Sequence, residues 1–502
     1  MLEVNHPQIT GIKSLSVAIL IFAISALVFS QYGFEGTLVR DDANYVYSGQ
    51  QMAQGMPPYK SIFDYKGPLA PMLSGLGAYL AELIHIDDIL MVRIIFFIIS
   101  CLVVVALYFL GSSLFESWPV GLLSACVFIG FSGFGRHAAS GPRAKSLMLL
   151  FVILTLLLTS KKKWFWAGVC GSLAFLTWQP TAIYVAISIF LAFIQSESRY
   201  TKVKSVCLAS AGALIPMAMI SLYFLLKGAF SDLFDGVILF HVKNLERGPF
   251  SFLGNLGEPI SAVYKAYTIM TIPIILGLFM LGGLYVWRLK MQASRISTLL
   301  SQDHFAAFLL SLPLPVLWSF LYFQSYPDFY IFLPYLALGF GWLLYLALEA
   351  FTTTADISIP LKKIFQLALC VFLIGGALIG YRKASEKGLV EQRQWARQIE
   401  NMFDRDSKIV SIGVPEILVL LHRTNPNPYV YIVNGIDNRI DEKTTGGFDG
   451  WLKELDKYDP SVIAFGQTRG RFKASLTNWL ERHYRRIEIG QWTLFVKNRN
   501  PD

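Results

Sequence analysis

Charged side chains are scarce in this sequence: Asp, Glu, Lys and Arg make up 15% of 502 residues, against 54% hydrophobic residues and a mean hydropathy of +0.50. Soluble domains carry roughly 25% charge, so a soluble fold is excluded for most of the chain and a polytopic membrane protein is implied. Cysteine is sparse too. Its five copies (Cys101, Cys126, Cys170, Cys207, Cys370) sit in apolar stretches without a C-x-x-C pair, which leaves disulfide and zinc chemistry unsupported and makes them small buried hydrophobes. The seven histidines form no H-x-x-x-H, so no metal cage is expected. Also missing are a repeat of fixed period, a low-complexity linker and a G-x-G-x-x-G loop, and with no such loop no cofactor is assigned. The formal net charge of +9 reflects Lys and Arg gathered on the cytoplasmic side of a membrane, with no need of nucleic acid.

What the sequence does have is long apolar runs. Lys13 precedes one over 15–30; no clear small-x-small cleavage site follows, so it reads as a signal-anchor first helix. Further spans are expected at 89–110, 119–135, 145–160, 164–178, 181–195, 206–226, 267–287, 306–323, 329–349 and 364–381, several shorter than the roughly 20 residues an untilted span needs. Residues 68–86 are equally apolar, and the positive-inside rule arbitrates their case. The basic connections Lys161-Lys162-Lys163, Arg199-Tyr200-Thr201-Lys202-Val203-Lys204 and Arg288-Leu289-Lys290 with Arg295 all stay cytoplasmic if 68–86 lies along the membrane surface, and that placement is adopted. The expectation is then about eleven spans in a plasma (inner) membrane, the N-terminus cytoplasmic and the C-terminus extracytoplasmic.

From Arg382 the composition turns to that of a soluble domain. Strands at 408–413, 429–433 and 461–465 alternate with helices at 386–403, after Pro415, at 450–457 and at 474–484, and a hairpin of 487–489 with 492–496 closes the chain. The organisation expected is an all-α polytopic membrane domain (1–382) with a first outer loop (35–86), then a small parallel α/β domain with an antiparallel edge (383–502).

The polar stretch between the first two apolar runs carries the strongest chemical signal. It opens Arg40-Asp41-Asp42 and closes Phe63-Asp64-Tyr65-Lys66-Gly67-Pro68. Asp41 and Asp42 read either as caps of a helix over 43–53 or as a general base at the membrane surface, where a like charge raises one carboxyl's proton affinity. Lys66 reads as a snorkelling lysine or as a cation for a phosphate leaving group. Arg136, His137 and Arg143 form a basic loop on the expected outer side, against the general charge bias. Gln179, between Trp178 and Pro180, lies at the same level. Residues 233–245, with His241 and Lys243, and Glu246 and Arg247 just beyond, read as another surface helix, and Tyr326, Asp328 and Tyr330 begin a span where an aromatic belt is ordinary.

This layout resembles the GT-C type of integral-membrane glycosyltransferases, the group containing protein O-mannosyltransferases, the aminoarabinose transferase of lipid A and archaeal dolichyl-phosphate-mannose transferases. The residues that carry the resemblance are Asp41-Asp42, the run from Tyr47 through Gly49-Gln50 to Gly55-x-Pro57-Pro58-Tyr59, the step Lys66-Gly67-Pro68, and Leu176-Thr177-Trp178-Gln179-Pro180. The sequence departs from the family in having Asp-Asp where Asp-Glu is common, Gly141 where relatives have an acid before Pro142, Trp178 for a lysine, and Phe329-Tyr330 for a His-Tyr pair.

The resemblance implies a polyprenyl-phosphate sugar donor, an outward-facing hydroxyl of a glycan, lipid or protein as acceptor, and inversion. Asp41, with Asp42, is the expected catalytic pair, and Lys66, Arg136 and Arg143 are expected at the donor phosphate. Tyr45, Asp64, His137, Gln179, Tyr326 and Asp328 are expected to contact substrate. No metal is required, although the two aspartates could hold a divalent ion. The competing reading, a transporter of lipid-linked sugars, expects inverted repeats and polar residues near the bilayer midplane; here the ionisable residues crowd at the outer ends of the helices.

Overall fold

The structure, a computed structural model, describes residues 11–243, parts of 275–286, 304–313, 326–355, 357–382, 387–404 and 406–497. Ten helices lead the chain in order: α1 (Gly11–Phe29), α2 (Arg40–Ala53), α3 (Leu69–Ile84), α4 (Asp88–Leu114), α5 (Trp118–Ile129), α6 (Ser132–Ser140), α7 (Ala144–Ser160), α8 (Trp164–Thr177), α9 (Ala182–Ile194) and α10 (Arg199–Leu226). Later come α11 (Leu333–Thr354), after a 3-10 stretch Tyr326–Phe332, and α12 (Ile359–Arg382). Among the described residues five helices are long and apolar enough to cross a membrane, with α3, α7, α8 and α9 apolar but shorter. The expected spans at 267–287 and 306–323 fall largely outside the described residues.

One expected span is reshaped. In place of a helix over 119–135 followed by a loop, the chain bends by 70° between α5 and α6, and Arg136 and His137 sit on a second short helix. Bending leaves backbone carbonyls without helical partners, which is costly away from water. Two buried tyrosines answer it: Tyr381 Oη donates to Ile129 O (2.9 Å) and Tyr330 Oη to Gly133 O (2.7 Å).

The polar helix of the first loop is buried in the molecule. In α2 the residues Asp42, Asn44, Ser48, Gln50 and Gln51 are all buried, because the helix lies between α3 and the C-terminal part of the chain. Buried polar groups need partners, and these come from far along the sequence. Gln392 exchanges two hydrogen bonds with the Leu38 backbone (2.8 and 2.9 Å), the Asn425 N–H donates to Tyr47 Oη (2.9 Å), Gln50 donates to Val419 O (3.1 Å), and the Phe63 N–H donates to Pro428 O (2.8 Å). Helix α3 buries its small residues Ala70, Ser74, Gly75, Gly77, Ala78 and Ala81 and turns Leu76, Tyr79 and Leu83 outward.

The C-terminal part begins with α13 (Gly388–Met402) and holds α14 (Pro415–Leu420), α15 (Ile436–Lys443), α16 (Gly447–Tyr458) and α17 (Lys473–His483) around a four-stranded sheet. Its strands β1 (Ile409–Ile412), β2 (Val462–Phe465), β3 (Tyr484–Ile489) and β4 (Trp492–Lys497) stand in the order β1-β2-β4-β3. Only β1 and β2 are parallel, so the sheet is less parallel than its alternating pattern suggested. The expected strand at 429–433 does not form. That segment is buried, but β1 ends at Gly413, which turns away with φ 96° after one backbone bond to Val430 O (2.6 Å). Its tyrosine is used elsewhere, Tyr431 Oη donating to Asp64 (3.1 Å).

Arg93 of α4, fully buried, ties down the start of the first loop by donating to Gly36 O (2.8 Å) and Phe34 O. Arg93→Leu strips both carbonyls of their donor, at about 1–3 kcal/mol for each buried group left unpaired. The expected result is a clear drop in melting temperature of the detergent-solubilised protein, with the chain still monodisperse; an unchanged melting temperature would show that the loop is held without it.

Candidate functional site

Helix α2 begins one residue before the acidic pair, with Val39 as its N-cap, so neither aspartate caps the helix. Both lie in its first turn, where the helix dipole favours negative charge, and both turn their oxygens toward cations. Asp41 lies 3.5 Å from Lys66 Nζ and 3.7 Å from Arg143 Nη1, and Asp42 lies 2.9 Å from Arg143 Nε. The two differ in access: the Asp41 side chain is 45% exposed, that of Asp42 only 2%.

Their proton affinities separate accordingly. The ammonium of Lys66, helped by Arg143 and Arg40, lowers the Asp41 pKa to about 2 against the opposing effect of burial. Burial raises that of Asp42 to about 6, although Arg143 and Arg93 oppose it. Lys66 is held well above its ordinary value, since Asp41, Tyr45 and Asp64 outweigh its desolvation, and its Nζ stands 5.6 Å above the Tyr45 ring. It is an ion-pair partner here, with its charge aimed at Asp41.

Arg143, the N-cap residue of α7, carries the arrangement. His137 of α6 steadies it, its Nδ1 accepting from Arg143 Nε (3.3 Å). Gly141 explains the absence of an acid before Pro142. A Cβ at 141 would overlap the Asp42 carboxylate, so the space a larger residue would need is filled by the first loop's own acid. Gly67 is similarly confined, the Lys66-Gly67 step lying flat against the Leu176 backbone at the end of α8.

The remaining candidates divide between loop supports and outlying residues. Asp64 accepts from the Tyr65 N–H (2.7 Å), the Lys66 N–H (3.2 Å) and Tyr431 Oη, shaping the turn that presents Lys66. Gln179 donates to Tyr65 O (2.8 Å), and His241 reaches the same oxygen (2.8 Å). Asp328 pairs with Lys145 (3.0 Å), whose ammonium lies within electrostatic reach of Asp41 and Lys66, and Arg136 is exposed on α6. The side chain of Tyr326, with Glu246 and Arg247, lies outside the described residues.

Sequence reasoning passed over Lys145, whose Nζ stands 3.1 Å from the centre of the Trp178 ring. Its signal was a lone lysine opening an apolar run, two residues after Arg143. Also missed was Glu416 of α14, buried near Arg40 and the acidic pair, where desolvation raises its carboxyl to about 7. Among the described residues no three His, Cys, Asp or Glu side chains converge as a metal site, and the acidic pair faces Lys66 and Arg143, a poor fit to a divalent ion.

Beside Asp41 opens a cleft of 300 Å³, lined by Val39, Arg40, Asp41, Arg143, Gly413 and Gln467. An exposed carboxylate at the edge of a cleft, flanked by two fixed cations, can take a proton while the cations hold an anion.

No protein-family model matches the sequence, and no curated protein matches it. Solved structures do. ArnT from Cupriavidus metallidurans bound to undecaprenyl phosphate superposes with a TM-score of 0.59 at 10% identity, over 97% of this chain and 98% of that one. Its apo form gives 0.58 at 10% identity over 96% and 97%. The Archaeoglobus fulgidus oligosaccharyltransferase tethered to an acceptor peptide gives 0.50 at 12% identity, over 91% of this chain and 69% of that one. The chain therefore has the GT-C fold.

A carboxyl whose pKa rises from 3.8 unfolded to about 6 folded binds more protons in the native state over that window. Stability then falls as pH rises from 3.8 to about 6, and Glu416, raised from 4.5 to about 7, adds a second slope of the same sign. Melting curves across this range should lose part of the slope in Asp42→Asn; an unchanged slope would mean that Asp42 titrates normally.

Proposed function

We propose that the chain is a membrane glycosyltransferase that moves a sugar, mannose or another monosaccharide, from a polyprenyl-phosphate donor to a hydroxyl on the outer face of the membrane. The observation that carries this reading is the accessible Asp41 carboxylate fixed between Lys66 and Arg143 beside a cleft, in a chain with the GT-C fold. ArnT's structure with undecaprenyl phosphate supports a lipid-phosphate donor, and the acceptor peptide on the archaeal enzyme supports an acceptor presented from outside. The acceptor here is a glycan, lipid or protein hydroxyl. The membrane is the plasma (inner) membrane, crossed several times. Lys161-Lys162-Lys163 lie across α7 from Arg143, about 25 Å away along the helix axis, and their charge supports a cytoplasmic placement of that end and the N-terminus, with the acidic pair and the C-terminal part outside.

In this mechanism the acceptor oxygen attacks the anomeric carbon as the bond from that carbon to the phosphate oxygen breaks. The electron pair leaves with the phosphate, the hydroxyl proton passes to Asp41, and the carbon inverts. Lys66 and Arg143 stabilise the departing phosphate, a group that needs little protonation. An aspartate of pKa about 2 is a weak base, but only while both cations face it. A donor phosphate bound between Lys66 and Arg143 competes for their charge, and the proton affinity of Asp41 rises once the donor is in place. The donor thus readies the base. Asp42 keeps Arg143 in position, and Asp64 and Gln179 hold the turn that carries Lys66.

Asp41→Asn keeps the shape and removes the base, and general-base catalysis is worth about 10²–10⁴-fold. Transfer of labelled sugar from a polyprenyl-phosphate donor should fall by at least about 100-fold at unchanged expression and melting temperature. Transfer at the wild-type rate would remove Asp41 as the base.

A further inference from the structure

Two residues around the cleft beside Asp41 come from the C-terminal sheet: Gly413, where the chain leaves β1, and Gln467, two residues beyond β2. Because β1 and β2 run parallel, both loops leave their carboxyl ends side by side, the edge at which open α/β sheets present ligand-binding loops. The loops are pressed together. Gly413 has φ 96°, the left-handed region that favours glycine, and a Cβ on Gly466 would overlap the Gly413 carbonyl. Their backbones are pinned: the Gly466 N–H donates to Ile412 O (2.9 Å) and the Arg469 N–H to Ile432 O (3.0 Å). What this scaffold presents to the cleft is the exposed Gln467 side chain.

The chemistry of the walls is selective. A carboxylate, two guanidinium groups, a primary amide and a glycine peptide supply donors and acceptors at several angles, and Val39 is the only apolar side chain among the lining residues. Such a wall suits a hydroxyl-bearing molecule and offers a lipid tail nothing. Lys66 lies differently, its loop seated through Gly67 against the end of the apolar helix α8. Asp41 therefore stands between a polar cleft facing the sheet and a cation facing the helices. Inversion demands this separation, since the attacking oxygen and the leaving phosphate occupy opposite faces of the anomeric carbon.

We propose that this cleft seats the polar group of the acceptor and that Gln467 is an acceptor-specificity residue, its amide bonding a hydroxyl or carbonyl next to the attacking oxygen. The assignment rests on the reading of Asp41 as base and adds where the acceptor sits. The cleft shares Arg143 with the donor side, whose other cation, Lys66, is not among its lining residues.

The experiment uses the full-length protein in lipid nanodiscs, wild type beside Gln467→Ala, Gln467→Leu and Asp41→Asn. Binding of undecaprenyl phosphate reads the donor side. Transfer from radiolabelled undecaprenyl-phosphate mannose to a titrated extract of the source's own envelope lipids and glycans reads the acceptor side. Losing one neutral hydrogen bond is worth about 3–10-fold, so Gln467→Ala should raise the half-saturating extract concentration by that factor, and Gln467→Leu, which leaves the acceptor group unpaired, by more. Undecaprenyl phosphate binding should stay within about twofold of wild type in both, a margin well below one lost hydrogen bond. Unchanged acceptor dependence, or weakened undecaprenyl phosphate binding in its place, overturns the assignment while leaving Asp41 as it was. Wild-type transfer by Asp41→Asn defeats the reading beneath it.

Discussion

The structure turns on one guanidinium shared by two acids. Arg143 meets Asp42 through Nε at 2.9 Å and Asp41 through Nη1 at 3.7 Å, so one cation fixes the position of Asp42 and, with Lys66, lowers the proton affinity of Asp41. A buried carboxylate without a partner costs several kcal/mol, which is why Asp42 can lie 2% exposed only beside Arg143. Asp41 draws on the same cation and on Lys66, and remains open to the cleft. Burial thus divides the labour within a pair of identical residues. The inner acid fixes the arginine, and the outer acid stays accessible.

That division depends on the first loop being the middle of the molecule. Helix α2 carries more polar than apolar surface and is nonetheless buried, covered by α3 on one side and α14 on another. Its hydrogen bonds run to residues more than 350 positions away, at Val419 and Asn425, and Leu38 just before it bonds Gln392. The sheet-bearing part is therefore a wall of the site, packed on the loop that carries the acids. Loosening that wall would move the loop, and a displaced acid would leave Arg143 and Lys66 without their counter-ions.

Much of the fold was legible in the sequence because apolar runs and composition are local signals. The helices, the change of character near residue 382 and four of the five expected strands fall close to their expected places. The acidic pair and Lys66 were legible as a cluster because one loop of some thirty residues carries both. What escaped was long-range. The bend between α5 and α6 is met by hydroxyls of Tyr330 and Tyr381, supplied 197 and 252 residues later. The hydrogen bonds of Asp64 and Gln179 to the Tyr65-Lys66 backbone were not legible, since a polar residue in a loop looks the same whether it faces a ligand or a backbone group. Residues 429–433 are an aromatic and β-branched run like a strand, yet β1 turns away at Gly413 before a ladder can form. Lys145 gave only the faint signal of a lone lysine opening an apolar run, and Gln467 gave no pattern at all, because only the fold brings it to its place.

The account rests on the claim that the donor's phosphate frees Asp41 from its cations and so makes it a competent base. Titration of ¹³C-labelled aspartate carboxyls by NMR, assigned with Asp41→Asn, measures this with and without undecaprenyl phosphate. The account predicts that Asp41 titrates near 2 in the free protein and clearly higher with the lipid phosphate bound. An Asp41 titration that does not move when undecaprenyl phosphate binds would contradict it.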